Sequence, residues 1–137
     1  MAEVSNLQVE LIAATAFHAP TGVEWEPDDT ATDAEALVEF AGRACYESFD
    51  KPNPRTATNA AYLRHILEVG HAGLFEHATA TLYIRGISRS ATHELVRHRH
   101  FSFSQLSQRF VHPERASVVL PEPIARDEQL TRLLLSA

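Results

Sequence analysis

Between Arg85 and Arg115 the chain concentrates its cations. These residues hold six of its twelve basic side chains (Arg85, Arg89, Arg97, Arg99, Arg109, Arg115) and only two acids, Glu94 and Glu114, although the whole chain carries eighteen Asp plus Glu and a formal net charge of −6. Eleven of the twelve are arginine, whose planar fork meets phosphate bidentately where lysine offers a point charge. The centre of the window runs Arg97-His98-Arg99-His100-Phe101-Ser102-Phe103-Ser104-Gln105-Leu106-Ser107-Gln108-Arg109-Phe110. Arginines interleaved with hydroxyls, amides and imidazoles predict an anion site; a solvated polar face is the competing reading of any charge run. If Phe103 to Arg109 is extended, Phe103, Gln105, Ser107 and Arg109 project to one side, and Leu106 and Phe110 anchor the other in apolar packing. A charge-assisted hydrogen bond from such an arginine contributes roughly 1.5–3 kcal/mol.

Other residues that could do chemistry are weaker. His93-Glu94-Leu95-Val96-Arg97-His98 approaches the zinc-protease pattern, but its histidines are five apart. At about 100° per residue they diverge by about 140° on a regular helix, and the neighbouring arginines oppose a cation, so no metal site is expected. Cys45, the single cysteine, has only Arg43 near it in sequence to activate it, and is expected to be a small buried apolar residue rather than a nucleophile. His65 fits a cation near a helix C-terminus, and His77 a satisfied core histidine.

The elements that must position these groups follow from periodicity. Residues 7 to 14 alternate apolar and polar, predicting a strand, and residues 18 to 32, with Pro20, Gly22, Pro27 and four acids, a loop. From Asp33 the spacing becomes helical through Ala36, Leu37, Phe40, Ala41 and Ala44, capped by Thr32 or Asp33 and ending around Cys45. Lys51-Pro52-Asn53-Pro54 marks a turn. A second helix runs from Thr56 or Thr58 to Val69, with Ala60, Leu63, Ile66 and Leu67 as its apolar stripe and Gly70 closing it. Residues 71 to 77 form a short connector. Residues 78 to 85 alternate and predict a strand ended by Gly86. Ser88 or Ser90 caps a helix to about Arg97, with Ile87, Ala91 and Leu95 inward. Residues 116 to 120 predict a short strand, Pro121 and Pro123 a break, and the stretch from Glu128 another helix.

These elements predict one domain over residues 1–137 of the α+β class, an antiparallel sheet with flanking helices. A pI near 5.7 argues against nucleic-acid and membrane-surface binders, and neither a membrane span nor a signal peptide is legible. One cysteine excludes an internal disulfide framework and fits the cytoplasm.

Arg97-His98-Arg99, seven residues, then Ser107 resembles the R-H-R-x7-S signature of the flavin-dependent thymidylate synthases. Gln105 to Phe110 is similar to that family's E/Q-x-S-x-R-Y/F continuation, and Gly70-His71 with Phe75-Glu76-His77 to its G-H-x-x-x-x-E-H segment. The likeness runs from about Val9 to Val119. It implies reductive methylation of dUMP to dTMP, with methylenetetrahydrofolate supplying the carbon, NADPH the reducing equivalents and FAD the hydride, in a cytoplasmic homotetramer. Arg97, His98, Arg99, Gln105 and Gly73 would contact FAD. Glu94, Leu95, Val96, Arg97, Gln105, Leu106, Ser107, Gln108 and Arg109 would hold dUMP, Leu106 and Gln108 through backbone groups. Gly73 stands where the family has a hydroxyl, and Glu94 where some members have glutamine, so Glu94 can accept from a pyrimidine N–H but cannot donate. The resemblance also implies a truncated fold, the N-terminal part of such an enzyme, whose activating arginine lies in a later portion. No catalytic residue is therefore assigned within the chain, and a non-catalytic nucleotide- or flavin-binding fragment, or an assembly-only subunit, is the alternative. A cysteine-dependent synthase would instead require Cys45.

Overall fold

A computed structural model describes residues 3–50, 53–111 and 117–136. The secondary structure alternates short strands and helices in the order β1 (Glu3–Val4), β2 (Gln8–Ala14), α1 (Asp33–Ala44), α2 (Asn59–Glu68), β3 (Ala80–Arg85), α3 (Arg89–Leu95), β4 (Ser117–Val118), α4 (Glu122–Ala125) and α5 (Glu128–Ser136). Two 3₁₀ turns, Pro54–Thr56 and Ala72–His77, flank α2. The mixture of helices with small sheets is compatible with the α+β class.

Its sheets are smaller and less uniform than expected. β2 pairs with β3. The Thr15 N–H donates to Thr79 O at 3.0 Å while Glu10 pairs with Arg85, so these strands run antiparallel. β1 pairs with β4 in parallel, Glu3 opposite Ser117 and Val4 opposite Val118. Among the described residues the antiparallel expectation thus holds for one pair of two. Leu7, Val9, Leu11, Ile12, Leu82 and Tyr83 are all exposed along the antiparallel pair.

By compactness the chain divides into two units, Leu11–Leu82 and the combination of Met1–Glu10 with Tyr83–Ala137. The first has its own core. Ala36 and Val38 of α1 and Tyr62 and Ile66 of α2 are buried, and the rings of Phe17, Trp25, Phe40 and Phe49 pack at centroid distances of 5.2–6.4 Å.

The helix starts are where the sequence places them. Thr32 caps α1 in a reciprocal capping box with Glu35, Thr58 caps α2, and Ser88 caps α3. The box satisfies two donors that the first turn would otherwise leave open. Gly70 takes φ +76° just past α2, the left-handed turn that lets the chain leave a helix.

The buried faces are rotated from the apolar stripes. α2 buries Asn59, Tyr62 and Ile66, leaving Leu67 exposed, and α1 buries Glu39, Gly42 and Arg43 beside Ala36 and Val38. Glu39, Arg43 and Asn59 are buried on these faces together with the apolar residues. Around Pro121 and Pro123 the chain forms α4, because proline is tolerated in a first turn. Lys51 and Pro52 of the predicted turn, Arg115 and Glu114 of the basic window, and Ala116 of the predicted strand lie outside the described residues.

Candidate functional site

The Arg-rich stretch begins on α3 and runs past its end. The Ser88 hydroxyl accepts from the Ala91 N–H at 3.2 Å and starts the helix. Its last turn is Leu95, with Val96 as C-cap, so the helix stops short of Arg97. Successive backbone bonds, Arg97 N–H to Glu94 O at 3.1 Å and His98 N–H to Leu95 O at 3.2 Å, tighten the exit. His98 Nδ1 is 3.0 Å from Leu95 O, and a carbonyl only accepts, so the ring hydrogen sits on Nδ1. His98 therefore leaves the helix, and the regular-helix geometry used against a His93–His98 metal pair does not apply to it. Among the described residues no group of three or more metal-ligating side chains gathers.

Two contacts hold the following segment beside α3. The Arg89 guanidinium donates to Leu106 O at 2.7 Å, and the Gln105 amide donates to the Thr92 hydroxyl. The Leu106 carbonyl is thereby engaged, while the Leu106 and Gln108 N–H groups have no backbone partner among the described residues. The rings of His98, His100, Phe101 and Phe103 follow one another along the exit, His100 and Phe101 with centroids 4.0 Å apart.

The extended alternation stops at Ser107. Its Oγ accepts from the Arg109 N–H at 3.3 Å and its carbonyl from the Val111 N–H at 3.1 Å, which folds Gln108 to Phe110 into a turn. A serine side chain that bonds the backbone two residues on competes with extended structure. Arg109 is therefore presented by a turn rather than by strand alternation. The expected apolar anchor is absent too: Leu106 is 65% and Phe110 83% exposed.

The three central arginines are little used internally. Arg97 reaches Glu94 at 3.6 Å with both side chains more than 70% exposed, a surface pair of small energetic weight. Arg99 and Arg109 make no ion pair among the described residues. Glu94, Leu95, Val96, Arg97, His98, Arg99, Gln105, Leu106, Ser107, Gln108 and Arg109 thus all lie in one unit, on a continuous 16-residue path.

Gly73 belongs to the other unit, in the 3₁₀ turn Ala72–His77. A Cβ built on it would meet nothing within 4 Å, so a ligand can approach its backbone freely. It lines an open cleft of about 360 Å³ together with Gly42, Cys45, Tyr46, Tyr62 and His71. Cys45 is exposed at this cleft, not buried as expected, because it caps α1 where the chain reverses. His77 is exposed as well, which removes the core-histidine reading.

Beneath the cleft lies what the sequence did not reveal. Arg43 and Glu39 are 4% and 3% exposed and pair at 2.7 Å. The Asn59 amide donates to Glu39 Oε2 at 2.8 Å and to Glu35 O at 3.1 Å. The Arg43 guanidinium also lies 4.9 Å from the Tyr62 ring centroid. Burial pushes the Tyr62 hydroxyl above its ordinary pKa and the Arg43 charge offsets part of that. An i,i+4 Glu–Arg pair reads from sequence as a solvent-facing pair; only Asn59, twenty residues on, carries a hint of burial.

Residues 29–137 match the family model described as thymidylate synthase complementing protein. The flavin-dependent thymidylate synthase of Corynebacterium aurimucosum is 80% identical over 137 residues, all of this chain and 55% of its own length. That of Corynebacterium diphtheriae is 68% identical over 136 residues, 99% of this chain and 54% of its own. That of Mycobacteroides abscessus is 60% identical over 137 residues, again the whole chain and 54% of the relative. The chain spans about half the length of the curated relatives it matches.

Proposed function

Because the chain belongs to the thymidylate synthase complementing protein family, we propose that it carries the phosphate- and flavin-gripping part of an enzyme that methylates dUMP reductively to dTMP, with FAD as cofactor and NADPH and methylenetetrahydrofolate as co-substrates. The observation that carries this reading is the segment Glu94 to Arg109, where Arg97, Arg99 and Arg109 are left without buried carboxylate partners among the described residues. An acidic chain that keeps these guanidinium groups exposed and uncommitted has them ready for an external anion.

The donor set suits a flavin dinucleotide. Arg97 and Arg99 offer charge for its pyrophosphate, His98 an imidazole Nε2 and Gln105 an amide; in the other unit, considered by itself, Gly73 offers an unobstructed backbone. When bound, the flavin supplies hydride chemistry that no side chain can. The chain's own residues bind and orient. Arg109 neutralises the nucleotide phosphate, and Ser107 and the N–H groups of Leu106 and Gln108 add hydrogen bonds. Glu94, whose carboxylate lies 3.6 Å from the Arg97 guanidinium, accepts from the pyrimidine N–H. A cytoplasmic homotetramer belongs to the same reading. Among the described residues no helix is long and apolar enough to cross a membrane.

The test has two arms. The 137-residue chain is expected to quench FAD fluorescence on binding, and neutralising Arg97 or Arg99 to weaken that binding. No binding at high micromolar FAD sinks the reading. Release of tritium from dUMP labelled at the carbon that receives the methyl group is expected to be undetectable for these 137 residues alone. Catalysis needs every transition-state group in place, and the chain holds about half of its relatives' length. Sustained turnover would show that the remaining half is dispensable.

A further inference from the structure

We infer that Arg43 is a positioning residue, which holds the Cys45–Tyr62 side of the Gly73 cleft open without itself touching the ligand. The inference rests on the reading above that Gly73 is a flavin contact. Arg43 binds four separate pieces of the chain. Its Nε donates to Glu39 Oε1 at 2.8 Å, one terminal nitrogen to Ser48 O at 3.2 Å and the other to Thr56 O at 3.2 Å, and its plane covers the Tyr62 ring. Its own carbonyl accepts from the Tyr46 and Ser48 N–H groups, both at 3.1 Å. These bonds enclose the reversal after α1, in which Glu47 takes φ +47°, a left-handed conformation that costs a non-glycine residue roughly 1 kcal/mol.

The cleft depends on that reversal. Cys45 and Tyr46 are its first residues and line the cleft, and Tyr62 forms the adjoining wall. The Tyr62 hydroxyl rests directly on Gly42, where a Cβ would come within 2.1 Å of the oxygen. Tyr62 is 9% exposed, yet its hydroxyl has no hydrogen-bond partner among the described residues and remains free at the cleft for a ligand. Only a planar fork can reach both carbonyls, pair with Glu39 and stack on a ring at once; an ammonium cannot.

The experiment compares Arg43→Lys, which keeps the charge for Glu39, with Glu39→Met combined with Arg43→Met, which removes the buried pair altogether. Replacing both partners of such a pair by apolar groups is often neutral for stability, so the two variants fail differently if folding is at issue. Fluorescence of Trp25 first establishes that each is folded. The rate at which Cys45 reacts with an aromatic disulfide reagent is then measured beside the FAD dissociation constant. Loosening the reversal is expected to speed the thiol reaction and weaken FAD roughly tenfold each, less than the hundredfold that misplacing reacting groups by about 1 Å costs. A merely structural arginine lowers stability but leaves both quantities within about twofold in the folded variants, and that result overturns the inference. So does a faster thiol with unchanged FAD affinity. If the parent chain binds no FAD, the flavin reading fails by itself, and the thiol rate alone then decides whether Arg43 sets the cleft.

Discussion

Arg43 and Arg109 are the same side chain put to opposite uses in the two units. Arg43 is 4% exposed, with every nitrogen engaged by Glu39, Ser48 O or Thr56 O. Arg109 sits on an exposed turn with no ion pair among the described residues. Removing a charge from water is favourable only when its hydrogen bonds are replaced, and α1, the reversal after it and the turn before α2 supply that replacement. In the Glu94–Arg109 stretch no such replacement is made among the described residues, so those guanidinium groups stay exposed to water. One unit uses its arginine in its own core; the other leaves Arg97 and Arg109 at its surface.

The largest effect is expected from breaking the buried side of this contrast. Arg43→Ala leaves the Glu39 carboxylate buried beside Asn59 with its main partner gone, which costs about 3–5 kcal/mol. Trp25, the single tryptophan, packs against Phe17, Phe40 and Phe49 in the same unit. Its fluorescence in a urea titration reads the loss directly. A change under about 1 kcal/mol would mean that water reaches Glu39 and that the pair is a surface pair in solution.

Arg109→Ala probes the exposed side. Stability is expected to stay within about 0.5 kcal/mol of the parent, as for surface substitutions generally. The affinity for dUMP should fall by roughly 1.5–3 kcal/mol, the worth of a charge-assisted bond, while that for deoxyuridine, which lacks the phosphate, hardly moves. Titrating both ligands calorimetrically separates the cases. Equal weakening for both, or a large loss of stability, would place Arg109 on the structural side after all.

The two sides were unequally legible in the sequence. Uncommitted arginines announce themselves, because Arg, Ser, Gln and His crowd into one window of an acidic chain. Helix starts were also legible, since Thr32, Thr58 and Ser88 act within their own four residues. The Glu39–Arg43–Asn59 network was not, because apolar periodicity assigns Glu and Arg to solvent. The inward faces of α1 and α2 carry that network beside Ala36, Val38, Tyr62 and Ile66. The turn at Ser107 escaped for a similar reason. Alternation in the sequence cannot show that a hydroxyl will bond its own backbone and end the extended run.

A smaller effect is expected where the two helices of the buried side meet. Gly42→Ala places a methyl 2.1 Å from the Tyr62 hydroxyl and 3.0 Å from Leu74 Cδ1, and such overpacking costs about 1–3 kcal/mol. Tyr62→Phe removes the oxygen that clashes first, so the double variant should recover part of the loss. Additive losses in thermal denaturation would show that the tyrosine ring, not its hydroxyl, sets the distance between α1 and α2.

The smallest expected effect is a dependence on pH confined to the start of α1. The Glu35 carboxylate accepts from the Thr32 N–H and from the Thr32 hydroxyl, each at 2.8 Å. These bonds, the backbone one foremost, hold its pKa below the ordinary value of 4.5. A carboxyl whose folded-state pKa is lowered stabilises fully above its unfolded pKa, and the contribution is lost as pH falls through the folded value. Glu35→Gln keeps an oxygen able to accept both bonds, since either residue can complete a capping box, but removes the charge near the helix N-terminus. Because the site is exposed, the parent should exceed this variant by only about 0.3–1 kcal/mol at pH 7. That margin should shrink below about pH 4.5 as Glu35 takes up its proton. Asp28, whose pKa is likewise lowered by the Thr30 N–H and hydroxyl and by the Asn59 N–H, titrates in both proteins and cancels from the difference. Urea titrations followed by Trp25 at pH 7, 5 and 3 measure the margin. A constant difference across that range would mean that neutral glutamine and charged glutamate cap α1 alike, and that the charge at Glu35 adds nothing to the cap.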